Sequence, residues 1–106
     1  MIIYNITFHI EQEVLTECLE YLKTDYIPKA SGSGFLTHPA LRRILTDEEE
    51  VKNSSFSVQF QVKNVDTLQY WLETQGRALH QKLISRFGNQ VVGFSTLLED
   101  ITLGDE

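Results

Sequence analysis

The stretch "FSVQFQV" (56–62) alternates without interruption. Phe56, Val58, Phe60 and Val62 share one parity; Ser57, Gln59 and Gln61 share the other. A period of two built from β-branched and aromatic residues predicts a strand with one buried side. "IIYNITFHI" (2–10) has the same property, with Tyr4, Ile6, Phe8 and Ile10 on one side and Ile3, Asn5, Thr7 and His9 on the other. Two strands divided so cleanly need cover on one face, and the cover must come from the segments between them.

Those segments change period. Over residues 12–26, Leu15, Cys18, Leu19, Leu22 and Tyr26 form a helical stripe, with Glu11, Glu13, Glu17 and Glu20 mostly off it. The early acidic residues suit the positive end of a helix dipole. Pro28 disfavours helical geometry at Ile27 and predicts a break or kink there. "KASGSG" (29–34) reads as a loop, and "PALRRIL" (39–45) as a short strand followed by an acidic turn, "TDEEE" (46–50). A second helix begins near Asn64 or Asp66, since Asp66 and Gln69 have capping-box spacing. It carries Leu68, Leu72, Leu79, Leu83 and Phe87 in one stripe, with Trp71 beside it. Gly76, in or next to that stripe, costs about 1 kcal/mol against alanine, so close packing on a strand or on the first helix is expected there. Gly88 is placed to end the helix in the left-handed conformation. "QVVGFSTLL" (90–98) is the last strand.

The order β-α-β-β-α-β predicts an α+β fold of the ferredoxin-like kind over residues 1–99, with an acidic tail at 100–106. Four antiparallel strands form one sheet, both helices lie on one face, and the first and third strands run in the middle. The free face is expected to carry Ile3, Asn5, Thr7, His9, Ser57, Gln59 and Gln61, together with Val91, Gly93, Ser95 and Leu97. Side chains so small and uncharged suit an interface or a semi-polar cavity better than bulk water. Two such sheets packed face to face would make a homodimer enclosing a barrel. The plainer alternative is a monomer with a wet sheet face.

The chain has 106 residues, a net charge of −6, 42% hydrophobic and 23% charged residues, an ordinary globular composition. The acidic balance argues against nucleic acid, whose phosphates require a basic face, and against an anionic membrane surface. The only adjacent basic pair is Arg42-Arg43. A single cysteine, Cys18, allows no internal disulfide and points to a reducing compartment. No apolar run approaches bilayer length, and no basic-then-apolar leader opens the sequence. A cytoplasmic protein is expected.

His9 is the sharpest candidate for chemistry. It ends a central strand on the free face, and an ordinary imidazole titrates near neutrality. Asn5, Thr7, Ser57, Gln59 and Gln61 would surround it. Arg42 and Arg43 alternate, so one of them faces the free side and could hold a ligand carboxylate. His38 reads as a loop residue, His80 as a structural residue on the flank of the second helix, and Cys18 as a buried, inert thiol. The three histidines lack metal-ligand spacing, and no metal or cofactor is expected. "GSG" (32–34) lacks the Lys-Ser/Thr of a phosphate loop. No catalytic constellation appears, which favours a binding module over an enzyme.

"MIIYNITFHIE", "YLKTDYIPKA", "FSVQF" and "RFGNQVVGFSTLLE" together resemble a small uncharacterised bacterial family, a domain-of-unknown-function family, over nearly the whole chain. The resemblance implies a dimeric α/β-barrel, the superfamily that includes cofactor-free antibiotic-biosynthesis monooxygenases, muconolactone isomerases and haem-degrading enzymes. It carries over no catalytic residue. The expected function is a homodimer that binds a small molecule or a partner protein through the cavity between the sheets. The alternative is a cofactor-independent monooxygenase or isomerase acting on a small organic substrate, with His9 as base.

Overall fold

The two alternating stretches form the centre of one antiparallel sheet. In the computed structural model, which describes residues 1–45 and 53–104, β1 (Ile2–Glu11), β2 (Thr37–Arg43), β3 (Asn53–Val62) and β4 (Val91–Glu99) lie in the order β2-β3-β1-β4. The acidic turn expected at 46–50 and the last two residues of the tail lie outside the described residues. In the β1–β3 register Tyr4 faces Phe60, Ile6 faces Val58 and Phe8 faces Phe56. All six are buried.

The cover comes from two helical rods on that face. The first joins α1 (Leu15–Tyr21), a π turn (Leu22–Tyr26) and α2 (Ile27–Ser31). The second joins α3 (Val65–Trp71), a π turn (Leu72–Gly76) and α4 (Arg77–Phe87). Trp71 stands edge-on to Tyr4 at 6.2 Å, and Tyr26 edge-on to Phe8 at 6.1 Å, so each rod drives an aromatic ring into the sheet. Each large apolar side chain so buried contributes about 1.5–3 kcal/mol.

Several local expectations change. The first helix does not stop at Pro28 but continues to Ser31. The preceding π turn, in which the Ile27 N–H reaches the Leu22 carbonyl, widens the coil ahead of the proline ring. β2 starts two residues earlier than expected and ends at Arg43, with an irregularity between Thr37 and Ala40. Pro39 cannot donate to the ladder, and the bulge absorbs it together with His38 at φ 52°. Of the two starts expected for the second helix, Asn64 is the one that caps it, its side chain accepting from the Thr67 N–H at 2.8 Å. The atoms crowding Gly76 most closely belong to its own rod, Trp71 and Leu72. A Cβ there would lie 2.7 Å from Cζ3 of Trp71, so the glycine makes room for the indole of its own rod. Gly88 does end the second rod at positive φ, but with ψ −140°, outside the left-handed helical basin.

The largest correction concerns β4. Its register pairs Val91 with Ile10, Gly93 with Phe8, Ser95 with Ile6 and Leu97 with Tyr4. Directly opposed residues of an antiparallel pair share a face. Val91, Gly93, Ser95 and Leu97 therefore lie on the helix side, and Val92, Phe94, Thr96 and Leu98 on the free side, the reverse of the expectation. The strand is apolar on both parities, so alternation alone could not choose its facing.

Candidate functional site

On the free face the register aligns rows across the sheet. Arg42, Ser57, Thr7 and Phe94 form one row; Ala40, Gln59, Asn5 and Thr96 the next; Gln61, Ile3 and Leu98 a third. Asn5, Thr7, His9, Ser57, Gln59, Gln61 and Arg42 thus share one surface. Arg43 does not: it opposes Phe56 on the helix side and lies 5.9 Å from that ring's centroid.

The polar groups of this surface bond to one another. Ser57 Oγ donates to Asn5 Oδ1 at 2.5 Å, Asn5 Nδ2 donates to Thr7 Oγ1 at 3.2 Å, and Arg42 Nη1 donates to Gln59 Oε1 at 3.4 Å. His9 Nδ1 lies 2.6 Å from Ser55 Oγ, and its ring leans on Phe94 with centroids 5.7 Å apart. Beside this track β4 presents Val92, Phe94 and Leu98, exposed at 54%, 52% and 45%. The surface is a hydrogen-bonded band with an apolar margin.

The helix side of β4 is the opposite. Gly93 and Ser95 stand where bulky residues would close the layer, and a half-open pocket of about 290 Å³ remains between β4 and the second rod. Tyr4, Ile6 and Phe8 of β1, Val91 of β4 and Leu83 of α4 line it, and the exposed Ile84 stands at its rim. One ionisable side chain of α4 joins this apolar wall, His80. It shares its helix face with Gly76, Leu83 and Ile84, at spacings of three and four residues.

His80 is held from behind. Its Nε2 lies 2.9 Å from the Tyr26 hydroxyl, the two rings stack with centroids 6.0 Å apart, and Trp71 meets the imidazole edge-on at 6.4 Å. Burial pushes the His80 pKa down from its ordinary value of 6.5. Burial also pushes the Tyr26 phenol far up, and that of Tyr4 up to about 12, so both stay protonated at neutrality. The rods themselves are tied by Asp25, which meets Lys29 at 2.8 Å on its own rod and Lys82 at 2.9 Å on the other, and by Arg86 to Glu17 at 3.0 Å. Hydrogen bonds from Lys29 and Lys82 hold the Asp25 carboxyl well below its usual range.

The other singled-out residues stay apart from both places. Cys18 is fully buried, and burial, with Glu17 adding, pushes its thiol up to about 11. His38 is exposed at the β2 bulge beside Thr37 Oγ1. Among the described residues no group of three metal-binding side chains forms, and no helix is long and apolar enough to cross a membrane.

A four-stranded antiparallel sheet in the order β2-β3-β1-β4 with two helical rods on one face defines a ferredoxin-like α+β protein. Solved structures share it at low identity. An ethyl tert-butyl ether d (EthD) family protein of Bacillus halodurans matches with a TM-score of 0.70 and 17% identity, over 95% of this chain and 100% of the other. An antibiotic biosynthesis monooxygenase matches at 0.67 and 13%, over 96% and 100%. A dimeric ferredoxin-like protein from an uncultured marine organism matches at 0.60 and 12%, over 97% and 99%. No curated protein matches the sequence. Residues 1–101 match the family described as Domain of unknown function (DUF4286), and the chain belongs to that family.

Proposed function

We propose that this chain is a homodimeric module that binds a small, mostly apolar organic molecule between β4 and the second helical rod. One observation carries the reading: on β4 Val92, Phe94 and Leu98 point out, while Gly93 and Ser95, the small residues in the middle of the strand, point in. Outward-facing Val92, Phe94 and Leu98 make an apolar margin that a second sheet would cover. Inward-facing Gly93 and Ser95 leave the space behind. The dimeric neighbour of the same fold supports the first half. The pocket supports the second, since its volume lies near the lower end for small-molecule sites, roughly 300–1,000 Å³.

The free-face track of Asn5, Thr7, His9, Ser57, Gln59, Gln61 and Arg42 then serves the sheet–sheet contact. Its hydrogen bonds are turned toward one another, which suits an interface better than ligand capture. Arg43, turned to the other side, has no part in it. A second reading is turnover of the bound molecule with dioxygen, which draws on the monooxygenase among the neighbours.

The test is an amide chemical-shift titration with 2-acetylnaphthalene. Shifts clustered at Phe8, Leu83, Ile84 and Val91 are expected. Shifts clustered at Asn5, Ser57 and Gln59, or none, overturn the pocket reading. Oxygen uptake that depends on the bound ketone would promote the second reading to the first.

A further inference from the structure

We propose that His80 presents its Nδ1–H to the pocket as a fixed hydrogen-bond donor, so that the ligand is a small planar molecule carrying a carbonyl-type acceptor oxygen. The inference rests on the pocket reading above and adds the chemical class of the occupant.

Tyr26 is fully buried, and its hydroxyl has no other hydrogen-bond partner among the described residues than His80 Nε2, at 2.9 Å. Were Nε2 the protonated nitrogen, it would donate to the phenol oxygen and leave the phenol O–H buried without an acceptor, a penalty of the size of a lost hydrogen bond. The other assignment satisfies both groups with one bond: the Tyr26 O–H donates to a bare Nε2. A neutral imidazole with a bare Nε2 carries its proton on Nδ1. Burial keeps the ring neutral, so the second proton that would erase the distinction is disfavoured.

Nδ1–H is then a free donor: among the described residues no hydrogen bond forms to it, and His80 is one of the residues that line the pocket. Tyr4, Ile6, Phe8, Leu83 and Val91 make most of the rest of that wall apolar and suit a flat apolar body, with Ser95 adding a hydroxyl on the β4 side. Tyr26, outside the pocket, is a positioning residue: it chooses which nitrogen is the donor. The site thus recognises an acceptor oxygen on a ring system, and among the described residues no carboxylate lines it to draw a cationic group.

Two measurements test this. Long-range proton–nitrogen NMR of the free protein should show Nδ1 as the protonated nitrogen of His80, and Tyr26→Phe should shift the proton toward a mixture of tautomers. A proton on Nε2 in the parent protein overturns the inference whether or not anything binds. Titration should then find 2-acetylnaphthalene bound about three- to tenfold more tightly than 2-ethylnaphthalene, the return of one net hydrogen bond. Tyr26→Phe should shrink that ratio while leaving the ethyl compound's affinity nearly unchanged. Equal binding of the two compounds by the parent leaves the pocket reading standing and overturns the donor. Binding of neither overturns the pocket reading and this inference with it.

Discussion

Gly93→Ala reads out the facing of β4 directly. A Cβ at Gly93 would lie 2.9 Å from both Cδ1 and Cε1 of Phe8, and 3.7 Å from Cγ2 of Ile6. Carbon atoms rest at about 3.5–4.0 Å, so the Phe8 ring has to retreat by roughly half an ångström or more. It cannot retreat toward the first rod, because Tyr26 meets it edge-on at 6.1 Å. The space open to it is the pocket. Overpacking of this kind costs about 1–3 kcal/mol, and replacing glycine by alanine in extended backbone returns about 0.4–1 kcal/mol through the unfolded chain. The net loss is about 1–2 kcal/mol, and each kcal/mol lowers Tm by roughly 4–8 °C in a domain of this size. Thermal and urea unfolding measure the loss, and the naphthalene titration should weaken in parallel as the ring enters the pocket. Phe8→Leu placed with Gly93→Ala should cost less than the two changes apart, since the smaller side chain vacates the contact. A Gly93→Ala protein as stable as its parent, with unaltered ligand affinity, would place Gly93 on the free face and overturn this facing of β4.

His80 has its pKa depressed by burial, so the unfolded chain takes up the proton first. Stability should fall as pH drops below about 6.5, and in His80→Gln, which can still accept from Tyr26, that part of the pH dependence should vanish from urea midpoints. Asp25 has its pKa lowered by Lys29 and Lys82, so its contribution is present above its unfolded value of 3.8 and lost as pH falls through the lower folded value. Asp25→Asn should therefore be less stable than the parent at neutrality and converge on it in acid. Cys18 is sealed in the core with its thiol pushed up to about 11. A thiol reagent at mildly alkaline pH should label it only at the rate of opening, and strongly once denaturant is added.

The fold was legible where one parity held all the bulk. Phe56-Val58-Phe60-Val62 and Tyr4-Ile6-Phe8-Ile10 admit only one facing, because the opposite parity is mostly small or polar, and the central pair followed from that. β4 resisted for the converse reason: Val91 and Leu97 on one parity balance Val92, Phe94 and Leu98 on the other. Only the pairing with β1 decides between them, and pairing is not a local property. A count of bulk on β4 would have sent Phe94 to the core; the structure leaves it 52% exposed on the free face. Proline rules anticipated disturbance at Pro28 but not its form, since the π turn belongs to the whole rod. His80 stood in view on the helix wheel with Leu83 and Ile84. Its hydrogen-bond partner is Tyr26, 54 residues away along the chain, and no periodicity joins them. The polar track of Asn5, Thr7, Ser57 and Gln59 was legible as a shared surface. Its inward-turned hydrogen bonds needed side-chain geometry.

A second sheet over the free face doubles the mass of the particle. Light scattering at micromolar concentration should give twice the 12.2 kDa chain mass, and Phe94→Lys, which sets a charge in the middle of the apolar margin, should return the mass of a single chain with the fold intact. A parent protein of 12.2 kDa, with Phe94 hydrated, would contradict the homodimer.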